Sequence, residues 1–152
     1  MHEHDEESGD MARNELKRID HLIFVTLKYT RTVDVIKAII GKFINALDLK
    51  VEDYYNNLFE KEKITRIPPV ALVRVKKLEE MYPEDEKVKS FVDFYVQLKQ
   101  VYNAEYRAKE EYRKNVTMVT KVKEINIAIL KEYVEYVKDY ITYIDGLKIW
   151  EK

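Results

Sequence analysis

A chain of 152 residues that is 46% hydrophobic and 36% charged, with three Gly, three Pro and no Cys, fits one domain with a sizeable core. The missing thiols exclude Cys-ligated zinc, iron–sulfur clusters and thiolate nucleophiles, and so few glycines argue against a phosphate-cradling loop. The formal charge is −1, yet residues 1–10 hold five acids and no Lys or Arg, so the remaining body is mildly basic, short of the footprint of a dedicated nucleic-acid binder.

Residues 1–11 lack core-forming side chains and predict a disordered acidic tail, with Met11 as an alternative start; 12–152 read as a single helical domain. From 12 to 47 a three/four spacing through Leu22, Val25, Tyr29, Thr32, Ile36, Ile39 and Phe43 predicts one long helix. A strand over 22–30 is the rival reading, because that stretch is rich in β-branched residues. Two short helices follow, at about 51–63 with Asp48 as a cap, and at 69–81, opened by Pro68-Pro69 and closed before Pro83. Glu84, Asp85 and Glu86 place negative charge at the start of the next helix, whose seam Val88, Phe91, Tyr95, Leu98 and Tyr102 predicts a run to about 113. The last helix, 117–145, stops at Gly146, with a tight break near Asn115 before it. The expected fold is all-α: an elongated bundle of three long helices with two short connecting helices.

The apolar run Leu22–Leu27 is far shorter than the ~20 residues of a membrane span, and the acidic start is unlike a signal peptide. A cytoplasmic protein without membrane contact is the expectation. Abundant Lys, Glu, Ile and Val beside two Gln match the compositional bias of thermophilic proteins.

Three histidines occur, at positions 2, 4 and 21, and no helical Glu-x-x-His pair exists, so no metal site and no cofactor are expected. His2-Glu3-His4-Asp5 reads as solvated tail. His21 is separated from Arg13 by seven residues and from Arg18 by two, a spacing that does not match the Arg–His pairs of metal-independent helical nucleases. No catalytic residue is assigned.

Tyr29, Arg31 and Asp34 belong to a polar island within the most apolar predicted helix. They are candidates for lining a small ligand pocket; the alternative is a structural Arg31–Asp34 pair one turn apart. Glu105 falls on an apolar seam within reach of Lys109. Arg107, Lys109, Arg113, Lys114, Lys121 and Lys123 surround the expected helical turn near Asn115, with Tyr106 and Tyr112 among them, a mixture that suits single-stranded nucleic acid. Asn115-Val116-Thr117 matches a glycosylation sequon. In the last helix Ile127, Leu130, Val134, Val137, Ile141 and Ile144 form an aliphatic seam, while Tyr133, Tyr136, Tyr140 and Tyr143 form a second, displaced by about 100°. The second seam is either another intrachain contact or a subunit interface.

These features favour a non-catalytic helical oligomerisation or scaffold protein, a homo-oligomer with a dimer as the simplest form, or one engaging another protein partner. The alternative is a nucleic-acid-associated helical protein of nuclease or nuclease-inhibitor type. A small-molecule-binding bundle using Arg31 and Asp34 ranks third.

Overall fold

The computed structural model describes residues 2–148 and 150, with side chains from Met11 onward. Helix α1 runs His2–His21 and passes into a π-helical turn, Leu22–Thr26, and a last helical turn, α2, Leu27–Tyr29. Then come α3 (Val33–Glu60), α4 (Ala71–Met81), α5 (Glu86–Asn103), β1 (Tyr106–Lys109), β2 (Thr117–Thr120), β3 (Glu124–Asn126) and α6 (Ile127–Asp145). The side chains of the acidic stretch 1–10, expected as a tail, lie outside the described residues.

The all-α expectation is corrected by the sheet. β1, β2 and β3 form an antiparallel meander in that order, so the chain is mostly helical without being purely so. Two causes act together. Residues 104–115 contain no Val, Ile, Leu or Met, so a helix extended to 113 would have no aliphatic stripe to bury, and α5 ends at Asn103 with Ala104 already extended. Residues 116–127, in turn, hold seven β-branched side chains in twelve positions, which fit a pleated surface better than a helix. In the register Ala108 faces Met118 and Met118 faces Ile125; Met118 and Ile125 are fully buried. The predicted helical hairpin at Asn115 is thus a β-turn region, and α6 begins ten residues later than expected, where the Asn126 side chain accepts from the Ile129 N–H at 2.9 Å.

The predicted 12–47 helix is also two elements. Thr30 leaves helical geometry (φ −130°, ψ 87°), and Thr32 is extended, its hydroxyl accepting from the Val35 N–H at 3.4 Å. Two β-branched threonines favour that extended link. The chain reverses there, so α1 lies back along α3, and Asn45 Nδ2 donates to the buried Glu15 carboxylate at 2.5 Å. Asp48, expected as a cap, lies inside α3, which continues unbroken to Glu60. There it accepts from the Tyr95 hydroxyl of α5 at 2.6 Å.

α3 is the central element, packed by α1, α5, α6 and β2. Its buried side chains include Ile36, Ile39, Ile40, Phe43, Leu47 and Tyr55. Gly41 lets α5 approach closely: a Cβ there would stand 2.9 Å from Tyr102 Cε1. α6 stops before Gly146 as expected, although Gly146 keeps an ordinary negative φ of −92° in place of the left-handed end the residue suggested.

The two seams of α6 are both used within the chain. Leu130, Val134, Val137, Ile141 and Ile144 are buried. The tyrosines span the gap to α5: Tyr133, Tyr136 and Tyr140 all pack around Phe94, at centroid separations of 5.1, 5.8 and 5.6 Å. The Tyr140 hydroxyl is 2.5 Å from Ser90 Oγ, and Tyr143 donates to Asp85 at 2.6 Å.

Candidate functional site

The reversal between α2 and α3 is held by the β1–β2 connection. Glu110 and Tyr112 both adopt left-handed backbone (φ 54° and 69°), an uncommon conformation for residues with a Cβ. It folds the loop onto the link: the Tyr112 N–H donates to the Arg31 carbonyl at 2.7 Å, and the Val33 N–H donates to the Glu111 carboxylate at 2.9 Å. Glu111 thereby satisfies an orphan donor at the start of α3 and places negative charge at its positive end.

Beside this clasp lies a cavity of about 390 Å³, within the range of small-ligand sites. Its apolar lining is Ile23, Phe24 and Leu27 from the π turn and α2, with Ile127 from α6. Its polar lining is Lys28, Arg31, Lys114 and Lys131, with no carboxylate among the lining residues. The π turn shapes one wall. There the Leu27 N–H donates to the Leu22 carbonyl five residues back, and the widened turn buries Ile23 while leaving Phe24 53% exposed. Turns of this kind concentrate at functional positions. Lys131 Nζ stands 5.4 Å from the Phe24 ring centroid, a cation–π distance.

Arg31 Nε is buried and has no hydrogen-bond partner among the described residues. An unpaired buried donor costs about 1–3 kcal/mol, more on a charged group. The Arg31 side chain therefore keeps an unused donor, of the kind an oxyanion satisfies. Four cations without a lining acid hold a positive potential, and the Phe24 ring with its aliphatic neighbours presents an apolar face.

The residues singled out from sequence are distributed as follows. Arg31 lines the cavity, but Tyr29 is 81% exposed and outside it. Asp34 accepts from the Tyr106 hydroxyl at 3.5 Å and forms no ion pair with Arg31 among the described residues. Of the basic cluster, Lys114 lines the cavity and Arg113 is its chain neighbour. Arg107 sits on β1 with all four strand residues exposed. Lys121 and Lys123 lie in the β2–β3 turn at the opposite end of β2, where Lys123 Nζ is 5.7 Å from the Tyr133 ring. The sheet thus divides a cluster that a helical turn would have gathered at one end. Phe24, Lys28 and Lys131 were not singled out. Phe24 lies in the apolar run Leu22–Leu27 but off the predicted helical seam, and Lys131 comes near Lys28 only through the tertiary fold.

No known protein family, curated protein or solved structure matches the chain. Among the described residues no helix is long and apolar enough to cross a membrane, and no group of three or more His, Asp or Glu is placed to hold a metal ion.

Proposed function

We propose that this chain is a non-catalytic binding protein for single-stranded nucleic acid, held by its phosphates with one base in the cavity beside the π turn. The observation that carries the reading is the joining of Phe24, Lys28, Arg31, Lys114 and Lys131 around one apolar space. Phosphate supplies the acceptor that Arg31 Nε lacks, and a base stacks on the exposed ring, the combination single-strand binders use. The loop that carries Lys114 also carries Arg113 and an exposed Tyr112. Arg113, the chain neighbour of Lys114, adds a cation beside those that line the cavity, which suits a polymer with more than one phosphate. No His or carboxylate lines the cavity, which supports binding without cleavage.

Self-association ranks second. Its strongest sequence argument was the tyrosine seam, and that seam packs on α5. Of the two edge strands of the sheet, the exposed β1 carries Arg107 and Lys109, charges that discourage strand-to-strand pairing.

Anisotropy of a labelled short oligouridine tests the proposal. Binding should weaken steeply between about 50 and 200 mM salt. Lys28→Glu with Lys131→Glu should lower affinity at least about tenfold, as expected for two lost phosphate contacts. Lys121→Glu with Lys123→Glu, at the other end of β2, should change it far less. Absence of binding at low salt, or equal losses in the two double variants, overturns the proposed site. Light scattering on the same samples measures the self-association reading independently.

A further inference from the structure

A second cavity lies at the far end of α3, independent of the cationic site. It has a volume of about 400 Å³, again that of a small-ligand pocket. Its walls are Tyr55 of α3, Ile64 and Pro68 of the connecting loop, Val73 and Met81 of α4, and Trp150 beyond α6. The charged residues lining it are Arg66 and Lys77. Both are cations, both are exposed, and neither is ion-paired to a described residue.

The walls are held in place without using those cations. The Tyr55 hydroxyl donates to the Arg74 carbonyl at 2.6 Å, so Tyr55 turns its ring to the cavity with its own proton already engaged. Arg74 Nη1 donates to the Pro68 carbonyl at 2.9 Å, pinning the loop, and Pro68 and Pro69 restrict its backbone. A preformed apolar space edged by two cations that pair with no described residue is complementary to a molecule with a long apolar body and one anionic end. Arg presents a planar fork that matches a carboxylate, and Lys adds a mobile point charge.

We infer that this cavity binds an organic carboxylate with an apolar body, of the fatty-acid kind, its chain against Tyr55, Met81 and Trp150 and its head between Arg66 and Lys77. The inference does not rest on nucleic-acid binding, and either can fail alone. The test uses a built-in reporter, because Trp150 is the one tryptophan of the chain. Decanoate, titrated below its micelle concentration into the full chain, should change Trp150 emission saturably. Decanol, which keeps the chain and lacks the charge, should bind at least about tenfold more weakly, the loss expected for a charge-assisted contact. Arg66→Gln with Lys77→Gln, at exposed positions with little effect on the melting temperature, should abolish the preference of decanoate over decanol. Isothermal calorimetry provides a second readout should emission prove insensitive to the bound ligand. Absence of saturable decanoate binding by both methods overturns the inference. Equal binding of decanol, or a preference that survives in the double variant, overturns the assignment of Arg66 and Lys77.

Discussion

Lys50 Nζ stands 2.5 Å from Asp145 Oδ1, tying the middle of α3 to the last residue of α6. The other Asp145 oxygen accepts from Arg13 of α1 at 2.7 Å, so one carboxylate joins three helices. Asp53 Oδ2, at 3.8 Å from Lys50 Nζ, completes the surroundings. Lys50 is buried, with its side chain 2% exposed against 35% for Asp145.

Removing one partner of a buried pair costs about 3–5 kcal/mol, whereas replacing a buried charge by an apolar side chain of similar shape is often mild. Asp145→Asn is therefore expected to lower stability toward or below the bottom of that range, because Asp145 is partly solvated and Lys50 keeps Asp53 nearby. Lys50→Met should cost less, since Asp145 retains Arg13 and access to water. Urea unfolding of the two variants checks the order; a larger loss in Lys50→Met would show that the ammonium contributes more than its desolvation costs.

The tyrosines of α6 differ in how deeply they pack. Tyr133 is 3% exposed and Tyr136 is 43% exposed. Tyr133→Ala should approach the ~3–5 kcal/mol of a buried aromatic truncation, while Tyr136→Ala should stay within about 1 kcal/mol, the scale of one ring contact. Tyr136→Lys with Tyr140→Lys should lower the melting temperature, because Tyr140 packs on Phe91 and Phe94. If the seam also joins subunits, light scattering will report a lower mass for the folded double variant.

Two aspartates respond to acid in opposite directions. Burial raises Asp48 above the usual carboxylate range, although the Tyr95 hydrogen bond and nearby cations oppose the shift. A folded pKa above the unfolded one means that the fold binds more protons in that window, so the Asp48 contribution falls as pH rises through it. Asp48→Asn keeps an acceptor for Tyr95 and removes the charge. Its melting temperature should equal or exceed that of the parent at pH 7, and the difference should shrink below about pH 3.9, the usual Asp value. Burial pushes Asp85 upward too, but hydrogen bonds from Tyr143 and from the Val88 and Lys87 N–H groups outweigh it and lower the pKa. Its contribution is present above the unfolded pKa and is lost as pH falls through the folded one. Asp85→Asn should therefore be most destabilising near neutrality; thermal melts across pH 2–7 separate the two effects.

Glu111 caps α3 from 78 residues away. Glu111→Ala should cost about 0.5–2 kcal/mol, the worth of a helix cap. By loosening the loop that carries Lys114 it should also weaken oligouridine binding, despite raising the net charge. Tighter binding in this variant would mean that the loop positions nothing and that charge alone decides.

Long helices with continuous apolar stripes were legible because each residue announces its face. The seam of α5 and both seams of α6 reappear as packed surfaces, and Asp85 closes the expected N-terminus of α5. The sheet was legible too, in the β-branched run 116–127 and the aliphatic-free stretch before it, but helical periodicity in the flanking segments outweighed those signals. The turn at Thr30–Thr32 is different in kind. Neither Gly nor Pro marks it, and it is fixed by Glu111 and Tyr112 from a distant segment. Of the cationic site, Arg31 and Lys114 stood out as polar residues in unusual company. Their convergence depends on left-handed backbone at Glu110 and Tyr112, and local pattern does not encode that contact.

The π turn also bears on how such a site can arise. A turn that closes over five residues holds one more residue than the α-helical turn it replaces, and each residue advances an α-helix by about 100°. Deleting Val25 would therefore leave every side chain of the cavity in the sequence, yet would rotate α1 by nearly a third of a turn relative to Leu27, Lys28 and the clasp at Arg31. Either the buried stripe of α1 would leave α3 or Phe24 would leave Lys131. In a lineage of such chains, the gain or loss of a single codon here would mark the boundary between members that possess the cavity and members that keep only the helical scaffold.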